Sequence, residues 1–254
     1  MKSHIYSIIG NSIIGLSVFI GGGSLVVFMA FLYAGSLNIV NLGMDIAGAL
    51  LLDFSLCLVF FIQHSSMIRG AFRRWSEGFI PPYCHGAFYA ISSGAILLVL
   101  VVFWQDSGRV VVIIEGIARL LLRLTFILSI VGLLWSARSL RSFDIFGKNQ
   151  IRAQMEHRQL AAMPFAVRGP YRYVRHPFYF FMLLMIWSFP DVSLDRLLFN
   201  SFWSVWIVVG TVLEERDLTV SFGVVYQDYQ RKVPMLLPWR ICFETLGKCC
   251  RRQN

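Results

Sequence analysis

Apolar residues in this chain are gathered into six long blocks, at 8–33, 46–62, 87–104, 117–135, 178–189 and 197–213, and the segments between them are polar and mostly basic. Most of the blocks approach or exceed the ~20 residues that a helix needs to cross a bilayer. The fifth, with twelve residues, does not. It is expected either to be extended by the turn before it or to form a buried hairpin with the sixth block through Pro190 and Asp191. The pattern predicts an all-α, polytopic integral membrane protein with about six membrane-embedded helices.

Polarity divides the chain unevenly. Residues 1–135 read as a four-helix transmembrane region with short connections, 136–240 as a C-terminal region built on a basic segment and a helical hairpin, and 241–254 as a basic, cysteine-containing tail. The two long polar segments, 136–176 and 214–254, should meet on one face of the membrane. Within the first, Phe143, Ile145 and Phe146 precede Gly147, and 155–163 carries mixed charge, which suits an interfacial helix or lid on the membrane surface. There is no internal repeat, no low-complexity run and no separate soluble domain.

Composition agrees with the block pattern. With 57% apolar residues, 22 Phe, 7 Trp and a mean hydropathy of +0.64, the chain carries more apolar surface than a globular domain of 254 residues can bury. Charge adds an orientation: 19 of the 23 basic residues fall in Lys2, the 64–86 loop, the 138–175 segment and the stretch from Arg216 onward. The 34–45 loop has none; Arg109 and Arg196 lie in the opposite loops, and Arg119 and Arg123 within the fourth helix. The positive-inside rule then puts both termini in the cytoplasm. The net charge of +9 reads as topology and attraction to anionic lipid, not as nucleic-acid binding, since no basic stripe is interleaved with base-stacking aromatics on a soluble domain.

Five cysteines, Cys57, Cys84, Cys242, Cys249 and Cys250, are odd in number and lack paired metal spacing, so neither a disulfide framework nor a metal site is expected. Cys249 and Cys250, among basic residues, suit S-palmitoylation near the membrane surface or a free pair on a tail. The first block has the length of a span and no small-residue cleavage site after it, unlike a signal peptide.

The chemistry concentrates in the second half. Gly169-Pro170-Tyr171 supplies a turn, and Arg175 and His176 stand just before Pro177, which can open a helix at its permitted first position. A helix start with a cation and an imidazole favours an anionic or polar ligand head, or else these two residues anchor the helix end in the headgroups. Glu214 and Glu215 close the sixth block, followed by Tyr226 and Tyr229. Carboxylates beside a span are unfavourable unless paired or exposed. They are able to bind hydroxyls or an ammonium, and a tyrosine ring is able to face a sulfonium; a salt-bridge network with Arg172 or Arg175 is the alternative.

Arg-His-Pro-x-Tyr at 175–179, the glutamate pair at 214–215 and the Phe-Gly-x-x-Tyr-x-x-Tyr-x-x-x-x-Pro run at 222–234 together resemble the C-terminal signature of the isoprenylcysteine carboxyl methyltransferase superfamily of integral-membrane, S-adenosylmethionine-dependent enzymes. Within it, Gln63-His64-Ser65, the 143–147 segment before Gln150, and Trp187-Ser188-Phe189-Pro190 look most like methanethiol S-methyltransferase and nurim-like membrane proteins, over roughly residues 45–238. The resemblance implies a cofactor-binding C-terminal segment in which Arg175, His176, Pro177, Tyr179, Glu214, Glu215, Tyr226 and Tyr229 hold S-adenosylmethionine, with Gln63 and His64 on the substrate side and no metal. It also implies methyl transfer to a small thiol, with a non-enzymatic nurim-like protein, or an isoprenylcysteine or phospholipid methyltransferase, as alternatives. No residue is singled out as catalytic, because in-line displacement at a sulfonium methyl rests on positioning and exclusion of water. Two positions depart from the pattern. Phe181 stands where relatives have a small residue, which is expected to narrow the approach to the cofactor, and Tyr83 to Tyr89 replaces an Arg-Ser pair before an aromatic.

Overall fold

The computed structural model describes residues 2–140, 144–159 and 165–238. The tail at 241–254, with Cys242, Cys249 and Cys250, lies outside them, as do Phe143 and residues 160–164.

In chain order the helices are α1 (Lys2–Ser17), α2 (Gly23–Ala34), α3 (Ile46–Ile68), α4 (Gly70–Ser76), α5 (His85–Phe103), α6 (Gly116–Ser139), α7 (Lys148–Met155), α8 (Pro177–Ile186), α9 (Leu194–Phe222) and α10 (Val224–Lys232); two short strands, β1 (Val110–Ile113) and β2 (Asp191–Ser193), pair antiparallel. A wide turn at Val18–Gly22 joins α1 to α2 without a break, giving one apolar rod over Ser7–Ala34. That rod, α3, α5 with the turn before it, α6 and α9 are the five helices long and apolar enough to cross a membrane. The protein is an all-α polytopic membrane protein. The fifth block forms no crossing as a helix alone: α8 has ten residues, rising about 15 Å, half of a ~30 Å hydrocarbon core, and the 187–190 stretch completes the passage, Gly169 lying against Ser139 at the end of α6 while the Pro190 carbonyl accepts from the Ile114 amide just before its start.

Several boundaries differ from the sequence expectation, each for a local reason. α9 does not stop at 213 but continues for nine residues to Phe222, because Glu, Arg and Leu favour helix and no Gly or Pro intervenes until Gly223, whose φ of +57° ends it. Glu214 and Glu215 therefore lie inside the helix, not after it. α3 likewise runs past 62 to Ile68, stopped where Arg69 turns extended. The helix expected on the surface over 155–163 sits earlier, at Lys148–Met155.

The chain forms two compact units, each assembled from three stretches: Met1–Ile113, Asp144–Ala162 and Asp191–Phe202 in one, and Ile114–Phe143, Met163–Pro190 and Trp203–Asn254 in the other. In the first, Phe28, Phe31, Trp104 and Phe199 make a core of stacked and edge-on rings. Arg196, expected in a loop, is buried in the first turn of α9. Its guanidinium covers the Phe31 and Phe199 rings and donates to the carbonyls of Phe31 and Leu32. Those carbonyls lie in the last turn of α2, where the helix dipole favours a cation, and that of Phe31 accepts the Gly35 amide as well. Close backbone approach fixes the 144–147 segment. Gly147, at φ +67°, lies against Gly86 and Ala87 where a methyl group would overlap, and the Phe146 ring fills the notch left by Gly21 and Gly22 in the wide turn.

In the second unit, α6 and α8 pack side by side. The Phe181 ring rests on α6 at Gly132, and any side chain at 132 would overlap it. Gly132 is thus the counterpart that lets α8 carry a phenylalanine at this position. Arg123 lies over the Phe189 ring at 5.2 Å, and the Trp187 indole donates to Ser204 at 2.9 Å.

Candidate functional site

Pro177 begins α8 where its missing N–H costs nothing, and the two residues before it are held by the segment that follows α10. The Arg175 amide donates to the Pro234 carbonyl at 2.9 Å, and the His176 amide to that of Met235 at 3.1 Å. This backbone clip presents both side chains to α9.

There they meet Glu215. Arg175 donates from Nε to Oε1 (2.9 Å) and from Nη2 to Oε2 (2.8 Å), a bidentate pair, while its Nη1 reaches the carbonyls of Gln230 and Val233. His176 Nε2 lies 2.6 Å from Oε1, the Tyr226 hydroxyl donates to the same oxygen at 2.6 Å, and the Gln230 amide donates to Oε2 at 2.6 Å. Five contacts from four side chains fill this carboxylate. Because a carboxylate held by a guanidinium only accepts, His176 carries its hydrogen on Nε2. Its Nδ1 faces Glu214 Oε2 at 3.6 Å, and the Tyr179 ring stacks on the imidazole, centroids 5.7 Å apart.

Burial separates the two acids. The side chain of Glu215 is 10% exposed and that of Glu214 43%. Among the described residues no Lys or Arg pairs with Glu214, so the group's uncompensated negative charge stands on the accessible acid. Around them the phenols are held in their neutral form. Burial, then the Glu215 carboxylate, pushes the Tyr226 hydroxyl far above the ordinary tyrosine range; burial does the same for Tyr229, and burial with the charge of Glu214 for Tyr171. All three remain donors. Tyr229 uses its hydroxyl on the Tyr171 carbonyl, and its ring packs with Tyr226 and Phe165.

Arg175, His176, Glu214, Glu215 and Tyr226 therefore form one group, with Pro177 and Tyr179 adjoining and Tyr229 one contact removed. Sequence reasoning missed Gln230 and the Pro234–Met235 backbone. The signal for Gln230 was its position four residues after Tyr226, on the same face of α10.

Gln63 and His64 belong to the other compact unit, in the last turns of α3. The Gln63 amide donates to Ser93 Oγ at 3.3 Å and approaches the Met67 sulfur. The Tyr89 hydroxyl lies 3.0 and 2.8 Å from the two ring nitrogens of His64. Tyr89, within the stretch that departs from the pattern, is thus the partner of His64. Among the described residues no cluster of His, Cys, Asp and Glu is arranged to hold a metal ion.

No family model matches the chain, and no solved structure matches it. Among curated proteins it is similar to methanethiol S-methyltransferase 2 of Bradyrhizobium diazoefficiens, 35% identical over 202 residues that cover 76% of this chain and 75% of the relative. The methanethiol S-methyltransferase of Mycobacterium tuberculosis is 32% identical, covering 76% and 80%, and nurim of Rattus norvegicus is 24% identical, covering 76% and 75%. With relatives above 30% identity matched over about three quarters of both lengths, the chain belongs to the methanethiol S-methyltransferase family of the isoprenylcysteine carboxyl methyltransferase-like membrane proteins.

Proposed function

We propose that the protein is an integral-membrane, S-adenosylmethionine-dependent methyltransferase acting on a small thiol of the methanethiol type, with region 136–240 forming the cofactor site. The observation that carries this reading is the asymmetry of the glutamate pair: one carboxylate is saturated by the chain, and its neighbour is left accessible beside His176 and Tyr179. The residues fit the cofactor, since an accessible carboxylate suits its ammonium and aromatic faces suit its adenine and sulfonium. When bound, that group supplies an activated methyl. The chain supplies the rest. Glu214 holds the cationic end; His176, Pro177 and Tyr179 flank the nucleoside; Arg175 and Glu215 fix the turn that carries them; Tyr226 and Tyr229 close the wall. Gln63 and His64 serve the thiol side.

Binding of radiolabelled S-adenosylmethionine to the purified protein, followed by methylation of methanethiol, tests this. Binding with turnover is expected, and absence of binding by folded protein would sink it. His64→Ala should retain binding yet lower turnover on the order of 10²-fold, the effect of misplacing a reactant by about 1 Å; equal loss of cofactor affinity would remove His64 from the thiol side.

A second reading, a non-enzymatic membrane protein like nurim, has its own support, because a saturated Glu215 is what a purely structural ion pair needs. The same binding measurement separates the two.

Both termini are assigned to the cytoplasm on the partition of basic residues. A cysteine placed at exposed Asn38, in an otherwise cysteine-free chain, should react with an impermeant maleimide only from the opposite side. Labelling from the cytoplasm would reverse the assignment.

A further inference from the structure

Where α3 leaves the membrane the chain turns sharply at Arg69 and forms α4, a two-turn helix without an acidic residue. Arg69, Arg73 and Arg74 are exposed, and among the described residues no carboxylate pairs with any of them. The next acid is Glu77, and the previous one is the buried Asp53.

The other side of this helix is aromatic and equally bare. Trp75 is 67% exposed and Phe79 62%, yet they are ordered against each other. Phe72 and Trp75 have centroids 5.5 Å apart, and Trp75 and Phe79 meet edge-on at 4.9 Å. Within the helix Phe72 and Trp75 are three apart and share one face, Phe79 in the turn that follows is joined to them by its contact with Trp75, and Arg73 and Arg74 lie elsewhere on the helix with Arg69 at its start. Ser76, fully buried, turns its hydroxyl back onto the Arg73 carbonyl within the helix. Water is a poor partner for two exposed aromatic rings. An interface offers both halves what they need: rings at the glycerol level, guanidinium groups among phosphates.

We propose that α4 is a docking surface for anionic phospholipid, its three arginines binding headgroup phosphates while Phe72, Trp75 and Phe79 lie at the acyl boundary. Charge complementarity fixes the choice of lipid. Three guanidinium groups within six residues, unneutralised by protein, favour headgroups with net negative charge over zwitterionic ones. The site is independent of the methyl-transfer chemistry and holds equally for an enzyme or a scaffold.

The full-length protein reconstituted in phosphatidylcholine nanodiscs containing either brominated phosphatidylglycerol or brominated phosphatidylcholine tests the proposal. Emission quenched in the wild type but missing in Trp75→Phe isolates the α4 signal. It should be quenched more by phosphatidylglycerol, and this preference should weaken as salt is added. At about five-fold per arginine, the combined Arg69→Gln, Arg73→Gln, Arg74→Gln variant should lose preference on the order of 100-fold. The matching triple lysine variant should keep it. Equal quenching by the two lipids in the wild type, no quenching of Trp75 by either, or an unchanged preference in the glutamine variant would each overturn the assignment.

Discussion

Glu215→Gln is expected to destabilise the protein by about 3–5 kcal/mol, the usual result of breaking a buried ion pair by removing one partner. The glutamine is nearly isosteric, so the loss is not one of packing. It follows from the number of donors aimed at one carboxylate: the guanidinium of Arg175, the imidazole of His176, the Tyr226 hydroxyl and the Gln230 amide. An amide offers one acceptor oxygen in place of two, and its NH₂ would confront Arg175 or Gln230 donor to donor. Thermal unfolding in detergent measures the effect, and Arg175→Gln combined with Glu215→Gln should recover part of the loss, because neither charge is then stranded. A wild-type transition in the single variant would mean that the network contributes nothing to stability.

Glu214→Gln should behave in the opposite way. Its side chain is 43% exposed and its only described contact is the 3.6 Å approach to His176, so the transition should move by no more than about 0.5 kcal/mol. Affinity for S-adenosylmethionine should fall instead. Loss of a charged hydrogen bond of ~1.5–3 kcal/mol corresponds to roughly 10- to 150-fold weaker binding. Titration with the radiolabelled cofactor beside a melting curve reads both quantities on one preparation. Unchanged affinity would remove Glu214 from the cofactor site, and a lowered transition would make it a second structural acid.

What could be read from the sequence was whatever depends on composition over a window. Five of the six apolar blocks are spanning helices, because about twenty apolar residues leave few other choices. The short block was legible as an exception. Helix ends were not, since apolar content fell at Leu213 while the backbone had no reason to stop before Gly223. Arg196 was misjudged because charge near a block edge reads as loop, whereas the Phe31 ring and the Phe31 and Leu32 carbonyls that receive it come from residues more than 160 positions away. The site was half legible. Arg175, His176, Glu215 and Tyr226 carry chemistry in their side chains, but Gln230 and the carbonyls of Pro234 and Met235 matter only through where α10 and its sequel are held.

Glu215 also sets an order of assembly during synthesis. The ribosome delivers Arg175 and His176 about forty residues before their carboxylate, and the residues that clip their backbone come twenty residues later still. Until Pro234 and Met235 have emerged, the turn at 175–176 has two amides with no native partner, next to a helix too short to cross the bilayer on its own. The segment that locks this turn therefore leaves the ribosome about sixty residues after the turn itself. A nascent chain released before residue 226 would insert its five long helices and still lack Tyr226, Gln230 and the clip, leaving the α8 entrance open to the chaperones and proteases that survey unfinished membrane proteins.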